Sequence, residues 1–457
     1  MANTYLTRTN SSPTNAKKYT WSSWNKIDSG GWYPFFSTTH QGGHSYIGFG
    51  ASGSSFGVIE HGDSAGTLYY LSTSSIQRDT SGWYHVVVQF DSTQSTASDR
   101  IKIYINNVLQ TSFGNSDYPS QNLDSWFVDA TTIEIGRRSQ GSGQYYSGLI
   151  SHAHFIDGTV YAPSTFGETD STTGEWKIKT DPAISTANYG NNGFWMFKDN
   201  NSLNDNSGNG NNFSLGGGTL TKTEDSPSNI FCTMNPLDFG TGGNNATLSL
   251  GNTKAISGSA VWRHSHGTLG VTSGKYYFEG KQGLTSDGDT GSVFGFCDQM
   301  YDTSDDPNSG TPNAKFYGRQ GTTLYTPSSK TDNFFPNTSG GDILMVALDL
   351  DNNKIWFGTN GTWHNTNGSA GNTSYSSTTL NSSYPDATSV TIDTSNAGVY
   401  MPILGSYNDG YIEANFGNGY FGTTAVSSAG TNASGIGIFE YDVPTGYTAL
   451  STKGLNL

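Results

Sequence analysis

Apolar and polar residues alternate along much of this chain, and that alternation predicts strands. The clearest stretch is 341–363, GDILMVALDLDNNKIWFGTNGTW. Leu344, Val346, Leu348 and Leu350 share one face, and Ile343, Met345 and Ala347 start on the other. A turn at DNN leads into Lys354-Ile355-Trp356-Phe357, and a second turn follows at Asn360-Gly361. Period-2 apolar residues punctuated by Asn, Asp and Gly predict a hairpin of a β-sandwich. The same style opens at 19–24, where the first strand is expected, and recurs at 82–90, where Tyr84, Val86, Val88 and Phe90 share a face. Ile101, Ile103 and Ile105 do likewise, before Asn106-Asn107 turns the chain into 108–113. Further strands are expected at 46–49, 67–71, 132–136, 145–155, 246–250, 274–279, 292–297, 314–317, 399–404 and 411–416. Residues 200–218 read as turn-rich, with strands on their flanks at 194–197 and 220–222. No three-turn amphipathic helix and no heptad stretch interrupts the pattern. The expectation is an all-β chain of two β-sandwich (jelly-roll-like) domains in tandem, 1–227 and 228–457. Their boundary is the charged, then Pro- and Ser-containing stretch 224–229.

Composition sharpens this. Glu numbers 8 and Asp 29, a split that favours turns over helices. The 59 glycines would also suit low-complexity disorder, but aromatic and β-branched runs spread along the chain argue against it. Against 37 acidic residues stand 22 basic ones, a net charge of −15 with no basic run, so nucleic acid is not an expected partner. Cys232 and Cys297 have neither disulfide-framework nor metal-ligand spacing. Residues 1–18 hold no apolar core of a secretory signal, and no run reaches membrane-spanning length, so membrane insertion is not expected.

SGWYHVVVQFD at 81–91, RIKIYINNVLQ at 100–110, IEIGRR at 133–138, YYSGLISHAHFIDGTVYAPSTFG at 145–167 and DNSGNGNN at 205–212 resemble the laminin G-like branch of the concanavalin A-like lectin/glucanase superfamily. That resemblance spans about residues 1–225. SGKYYFEG at 273–280, the 341–363 hairpin and PILGSYNDGYIEANFG at 402–417 follow the order of a SPRY domain. Both families imply β-sandwiches that bind through end loops or a sheet face. The ending, FEYDVP at 439–444 through GYTAL at 446–450, resembles the C-terminal segment of structural proteins from marine bacteriophages. This implies a virion surface protein.

Candidate chemistry is sparse. Glycoside hydrolysis needs two carboxyls flanking the scissile bond. The Glu-x-Asp-x-x-Glu strand of related glucanases is broken here by Thr173 after Glu168 and Asp170, and by Thr445 after Glu440 and Asp442. His152 with His154, and His264 with His266, would put two imidazoles on one strand face, but no third ligand is identifiable. Asp287, Asp289, Asp298, Asp302, Asp305 and Asp306 crowd a loop-rich region, and 205–209 reads DNSGN; both read first as turns and second as calcium loops. No other cofactor is expected. Aromatics beside loops are the better binding candidates: Trp32, Tyr33, Tyr145, Tyr146, Tyr301, Tyr317 with Arg319, and Trp363. Sugar rings stack on such faces, although plain packing explains aromatics in a sandwich equally well.

The expected function is a non-enzymatic phage virion surface protein: a head or tail appendage or decoration, or a fibre tip. It would bind host-surface glycan or neighbouring virion proteins. Homo-oligomers are common among such parts, and nothing in the sequence sets a symmetry. The alternatives are a pair of carbohydrate-binding modules from a bacterial surface or secreted protein and, more weakly, a glucanase-type hydrolase.

Overall fold

The computed structural model describes residues 3–27, 33–40, 43, 45–50, 55–62, 65–138, 144–198, 202–237, 246–258, 261–283, 292–298, 316–320, 323–326, 329–331, 334–335, 337–364, 375–377, 390–392 and 398–456. Among them there is no α-helix, only strands and four short 3-10 turns. The chain is all-β, as the alternation predicted. It divides into two compact units, Met1–Lys222 and Thr223–Leu457. Thr223 and Glu224 already bond to the Asn418 carbonyl, so the second unit takes up the chain slightly before Pro227.

In the first unit, one sheet runs in the order Phe113–Asp117, Gly66–Ile76, Ser55–Gly62, Ser45–Phe49, Tyr33–Thr39, Thr132–Ile135, Tyr5–Thr9, Ser214–Gly217. The other runs Phe194–Met196, Gly148–Asp157, Lys18–Ile27, Tyr84–Asp91, Ile101–Ile105, Val108–Leu109. Val86, Val88, Phe90, Ile101, Ile103 and Ile105 meet Phe36, Ile47, Val58 and Leu71 in one core. Asn106 and Asn107 turn at φ 48° and 66°, the left-handed geometry that Asn tolerates.

Two strands depart from the sequence expectation. Tyr5–Thr9 precedes the first expected strand, and Ser214–Gly217 lies inside the stretch read as turns. They pair with each other, which supplies the hydrogen bonds that local propensity does not. The expected strand at 220–222 is absent, and that at 108–113 is broken between Leu109 and Phe113.

The DNSGNGNN motif is a polar clamp. The Asp205 carboxylate accepts from the backbone N–H groups of Trp195, Ser207 and Asn211 and from the Ser207 hydroxyl, at 2.7–3.0 Å. Asn209 and Asn211 bond to carbonyls of Gly190, Asn191 and Gly193. All four donors on Asp205 come from the chain itself, so the turn reading describes this loop.

The second unit repeats the plan. One sheet runs Thr247–Ser249, Lys254–Ile256, Tyr411–Asn415, Lys275–Gly283, Ile343–Asp349, Lys354–Thr359, Thr362–His364, Tyr375–Ser377. The facing sheet runs Arg263–His266, Tyr400–Ser406, Ser292–Asp298, Phe316–Gln320, Thr323–Thr326, Ser329–Thr331. The hairpin forms as predicted: Leu344, Val346, Leu348 and Leu350 enter the inter-sheet core. Asn360 and Gly361 make the second turn at φ 49° and 81°.

Met345 and Ala347, on the opposite face, are buried as well. The C-terminal segment covers them, with Phe439, Val443 and Tyr447 packing against Tyr277, Met345, Ala347 and Trp363. Glu279 fastens this cover. Its carboxylate is wholly buried and accepts from the backbone N–H of Glu440 and of Tyr441, both at 2.9 Å. Tyr277 donates at 2.9 Å and Asn415 at 3.3 Å.

Glu60 does a similar job in the first unit. It is fully buried and accepts from the Tyr69 and Ser125 hydroxyls and the Trp126 N–H, pinning residues 125–126. Burial pushes both carboxyls up to about 7, against the opposing pull of their donors.

Replacing Glu279 by Ala leaves two backbone donors and a phenol unpaired in the interior, while the Asn415 amide keeps its bond to the Ile438 carbonyl. The expected cost is about 3–5 kcal/mol of second-unit stability, by analogy with breaking a buried charged network. Denaturant unfolding measures it, and limited proteolysis should nick residues 427–447 first. An unshifted midpoint would remove the latch from the account.

A pH series on Glu279→Gln gives a separate check. The folded-state pKa lies above the ordinary 4.5, so the native carboxyl's contribution is complete below about 4.5 and declines as pH rises through about 7. The stability difference between native protein and variant should therefore shift in the variant's favour between pH 5 and pH 8. The opposite trend would contradict a raised pKa.

Candidate functional site

Antiparallel register places Thr7, Glu134, Ser37, Tyr46, Ile59 and Tyr70 in one row on the outer face of the eight-stranded sheet. At the Tyr5 end of this face, the chain assembles an aromatic and charged platform. The Arg137 guanidinium forms a two-pronged pair with Glu134, Nε to Oε2 at 2.8 Å and Nη2 to Oε1 at 2.7 Å. This pairing, more than any other cause, raises the Arg137 pKa. The same guanidinium carbon stands 3.5 Å from the centroid of the Tyr5 ring. Tyr145 bridges to the Arg137 backbone, and its ring lies 6.2 Å from Tyr5 at 47°. Arg138 donates to the Gln144 amide oxygen at 2.9 Å beside them.

Gly216 and Gly217 make room for this arrangement. A Cβ at Gly216 would stand 2.1 Å from a Tyr5 ring carbon, and one at Gly217 2.8 Å. The glycine run is therefore a seat for an aromatic ring. Tyr5, Arg137, Gln144 and Tyr145 are all half-buried, so each is fixed by neighbours yet reaches the surface. Two tilted rings, a rigid guanidinium with N–H groups to spare and an amide are the groups that stack on and hydrogen-bond to a polar ring. Both Glu134 oxygens accept from Arg137.

Of the residues singled out from sequence, Tyr145 joins this platform. Tyr146, its neighbour, packs edge-on to Phe35 at 6.0 Å and donates to the Lys26 and Leu149 carbonyls, both at 3.2 Å. Trp363 is 3% exposed and packs beside Tyr277, so the packing alternative describes it. Tyr33, Tyr317 and Arg319 are described only as strand positions, and Trp32 and Tyr301 lie outside the described residues. Sequence reasoning missed Tyr5, Glu134 and Arg137. The signal available was IEIGRR, in which Glu134 and Arg137 are three apart.

Several described residues of the other constellations bond to their own neighbours. Glu168 and Asp170 pair with Lys177 at 3.4 and 3.2 Å, while Glu440 and Asp442 accept from Ser427 and Thr431. A bulge between Ser151 and His154, with His152 at φ 48°, breaks the simple alternation expected there. His154 is buried and bonds the Tyr189 hydroxyl at 2.9 Å. Among the described residues no three His, Cys, Asp or Glu side chains could hold a metal ion. Asp298 accepts from the Gly398 N–H, and the other five aspartates of that group lie outside the described residues.

One serine–histidine contact resembles a nucleophile pair. Ser22 Oγ lies 2.9 Å from His85 Nε2. The Trp176 indole N–H, which can only donate, points at His85 Nδ1 at 3.0 Å. Nε2 therefore carries the proton and donates to Ser22, the reverse of what a general base needs. Burial also pushes His85 down to about 3.

Residues 1–164 match the family described as the concanavalin A-like lectin/glucanases superfamily. The part of the first unit within residues 1–164 is thus similar to a concanavalin A-like sandwich. Among solved structures the chain is similar to the SPRY domain of human HERC1, with 17% identity, 35% of this chain and 87% of that chain covered, and a TM-score of 0.25. It is similar to the TRIM65 PSpry domain, with 14% identity, 40% and 91% covered, and a TM-score of 0.27. It is also similar to a heptameric SAP-like pentraxin from Limulus polyphemus, with 16% identity, 35% and 72% covered, and a TM-score of 0.27. No curated protein matches the chain.

Truncating Arg137 to Ala strands the nearly buried Glu134 carboxylate and uncovers the Tyr5 ring. The expected loss is about 2–4 kcal/mol in the unfolding of the first unit. Arg137→Lys should recover only part of it, because an ammonium cannot make the forked pair. Equal stability of the Lys variant and native protein would show that the fork is unimportant.

Proposed function

We propose that this chain is a non-enzymatic recognition protein on a virion surface. Its first unit would hold a host-surface glycan on the Tyr5–Arg137–Tyr145 platform. The observation that carries the reading is Arg137, locked by Glu134 over one tyrosine and backbone-bridged to a second. Such rigid, half-exposed groups bind with little loss of side-chain freedom. The absence of cleavage is supported by the fate of the acids weighed for it: each holds a loop or a lysine, and the Ser22–His85 pair carries its proton on the wrong nitrogen. The virion setting is supported by the C-terminal segment resembling phage structural proteins.

A glycan array with native protein and Tyr145→Ala tests the binding. Native protein should retain one class of glycan, and the variant should bind it at least about tenfold more weakly, roughly 1.4 kcal/mol, with an unchanged melting midpoint. Silence across the array, or equal binding by the variant, would refute the platform. Reducing sugar released from any bound glycan, and abolished by one carboxylate substitution, would make the chain a hydrolase. Copurification with phage particles at fixed stoichiometry tests the setting separately.

A further inference from the structure

Residues 158–190 cross the face of the six-stranded sheet of the first unit that is turned away from the core. Tyr161, Phe166, Ile184 and Tyr189 of this cover pack on Val87, Ile156 and Trp195 of the sheet. Its two ends are tied down. Thr20 Oγ1 donates to the Thr159 carbonyl and accepts from the Tyr161 N–H, both at 2.9 Å, and Asn209 donates to the Gly190 carbonyl at 2.8 Å. Between 162 and 189, among the described residues, three side-chain bonds reach the rest of the unit. They are Trp176 to His85, Tyr189 to His154, and the surface pair of Lys198 with Asp181.

Two histidines thus hold the middle of the cover. They alternate with Val86 and Phe155 of the core, so both point at the cover, and both are buried. The Phe166 ring of the cover lies 6.4 Å from His85 and 5.1 Å from His154. His85 has no nitrogen to spare: Nε2 donates to Ser22 and Nδ1 accepts from the Trp176 indole. A second proton must go on Nδ1, where an N–H already points and cannot turn into an acceptor. Charging His85 therefore breaks its bond to the cover.

The surroundings offer such a charge no counterion. Among the described residues no acid pairs with either imidazole. His152 and Lys198 stand near His154, and each opposes a positive charge on it. On the sheet, Lys26 follows Trp24 on the same face. On the cover, Glu168 and Asp170 are engaged by Lys177 at 3.4 and 3.2 Å. The remaining titratable neighbours, Tyr104, Tyr161 and Tyr189, are phenols.

We propose that residues 158–190 form an acid-released cover, closed at neutral pH and opened when His85 and His154 take up protons. Burial pushes His85 down to about 3. Burial first, then His152, His85 and Lys198, push His154 well below its ordinary 6.5. In the open form both imidazoles regain the ordinary value. The closed form's advantage is therefore complete above about pH 6.5 and falls as pH drops toward 3, by about tenfold per pH unit for each histidine. Glu60 and Asp157 have pKa values raised by burial, so they favour the folded unit toward acid and do not imitate this loss. The device is independent of the glycan platform.

Hydrogen exchange of the full chain, followed by mass spectrometry from pH 7.5 to pH 4 and corrected for the intrinsic rate at each pH, tests it. Protection of 158–190 should fall at least about tenfold between pH 6.5 and pH 4.5, while Ile101–Ile105 and Thr132–Ile135 keep theirs. His85→Gln supplies a neutral acceptor and donor, and should reduce the pH slope by about one decade per unit. Trp176→Phe keeps a ring and removes only the N–H, so it should lower protection of the cover about fivefold at pH 7.5. Protection that ignores pH, equal loss across the whole unit, an unchanged slope in His85→Gln, or unchanged protection in Trp176→Phe would each overturn the proposal.

Discussion

A carboxylate can sit in the interior of a sandwich only if its oxygens are met by donors, and here the donors come from distant parts of the chain. Glu279 receives N–H groups from residues 161 and 162 positions further on. Glu60 receives a hydroxyl and an N–H from residues 65 and 66 positions away. Each acid therefore couples a strand to a loop that would otherwise be free to leave. In the second unit the consequence is large: the outer face of the Ile343–Asp349 strand is as apolar as its inner face, and the segment fastened by Glu279 covers it. Hydrophobic burial supplies the driving force, and the carboxylate sets the register of the cover.

This explains what could be read in advance. Period-2 patterning identified the 343–359 hairpin and the 84–105 pair because both depend on neighbours within a few residues. Glu279, in KYYFEG, alternates with Tyr276 and Phe278 and so reads as a residue facing water. Only the return of residues 439–441 changes its surroundings. Trp363 was judged from its place at a strand end, but Tyr277 and Phe439 bury it from across the sheet and from the tail.

Tyr5–Thr9 and Ser214–Gly217 were missed for a related reason. YLTRT has few apolar residues, and LGG is a poor strand former when considered alone. Yet glycine is what the first unit requires at that place: any larger residue at 216 would collide with the Tyr5 ring. The platform was legible only in its Tyr145 and IEIGRR pieces. Its third part entered from the opposite end of the unit's sequence.

The distribution of ionisable groups carries the last step. Buried acids and histidines often mark catalysis because burial shifts their affinity for protons. In this chain the same shifts arise where the groups have already been committed. Glu60 and Glu279 are surrounded by donors from their own chain, His85 is fixed as a donor by Trp176, and His154 is bonded to Tyr189. A catalytic carboxyl must keep an oxygen available for substrate or water, whereas all four oxygens of Glu60 and Glu279 already accept from the chain itself. The Tyr5–Arg137–Tyr145 platform leaves half-exposed two rings, a guanidinium and an amide, groups suited to stacking and hydrogen bonding. That division, with charge used inside for architecture and aromatic faces outside, is the physical ground for the proposal that the chain is a binder.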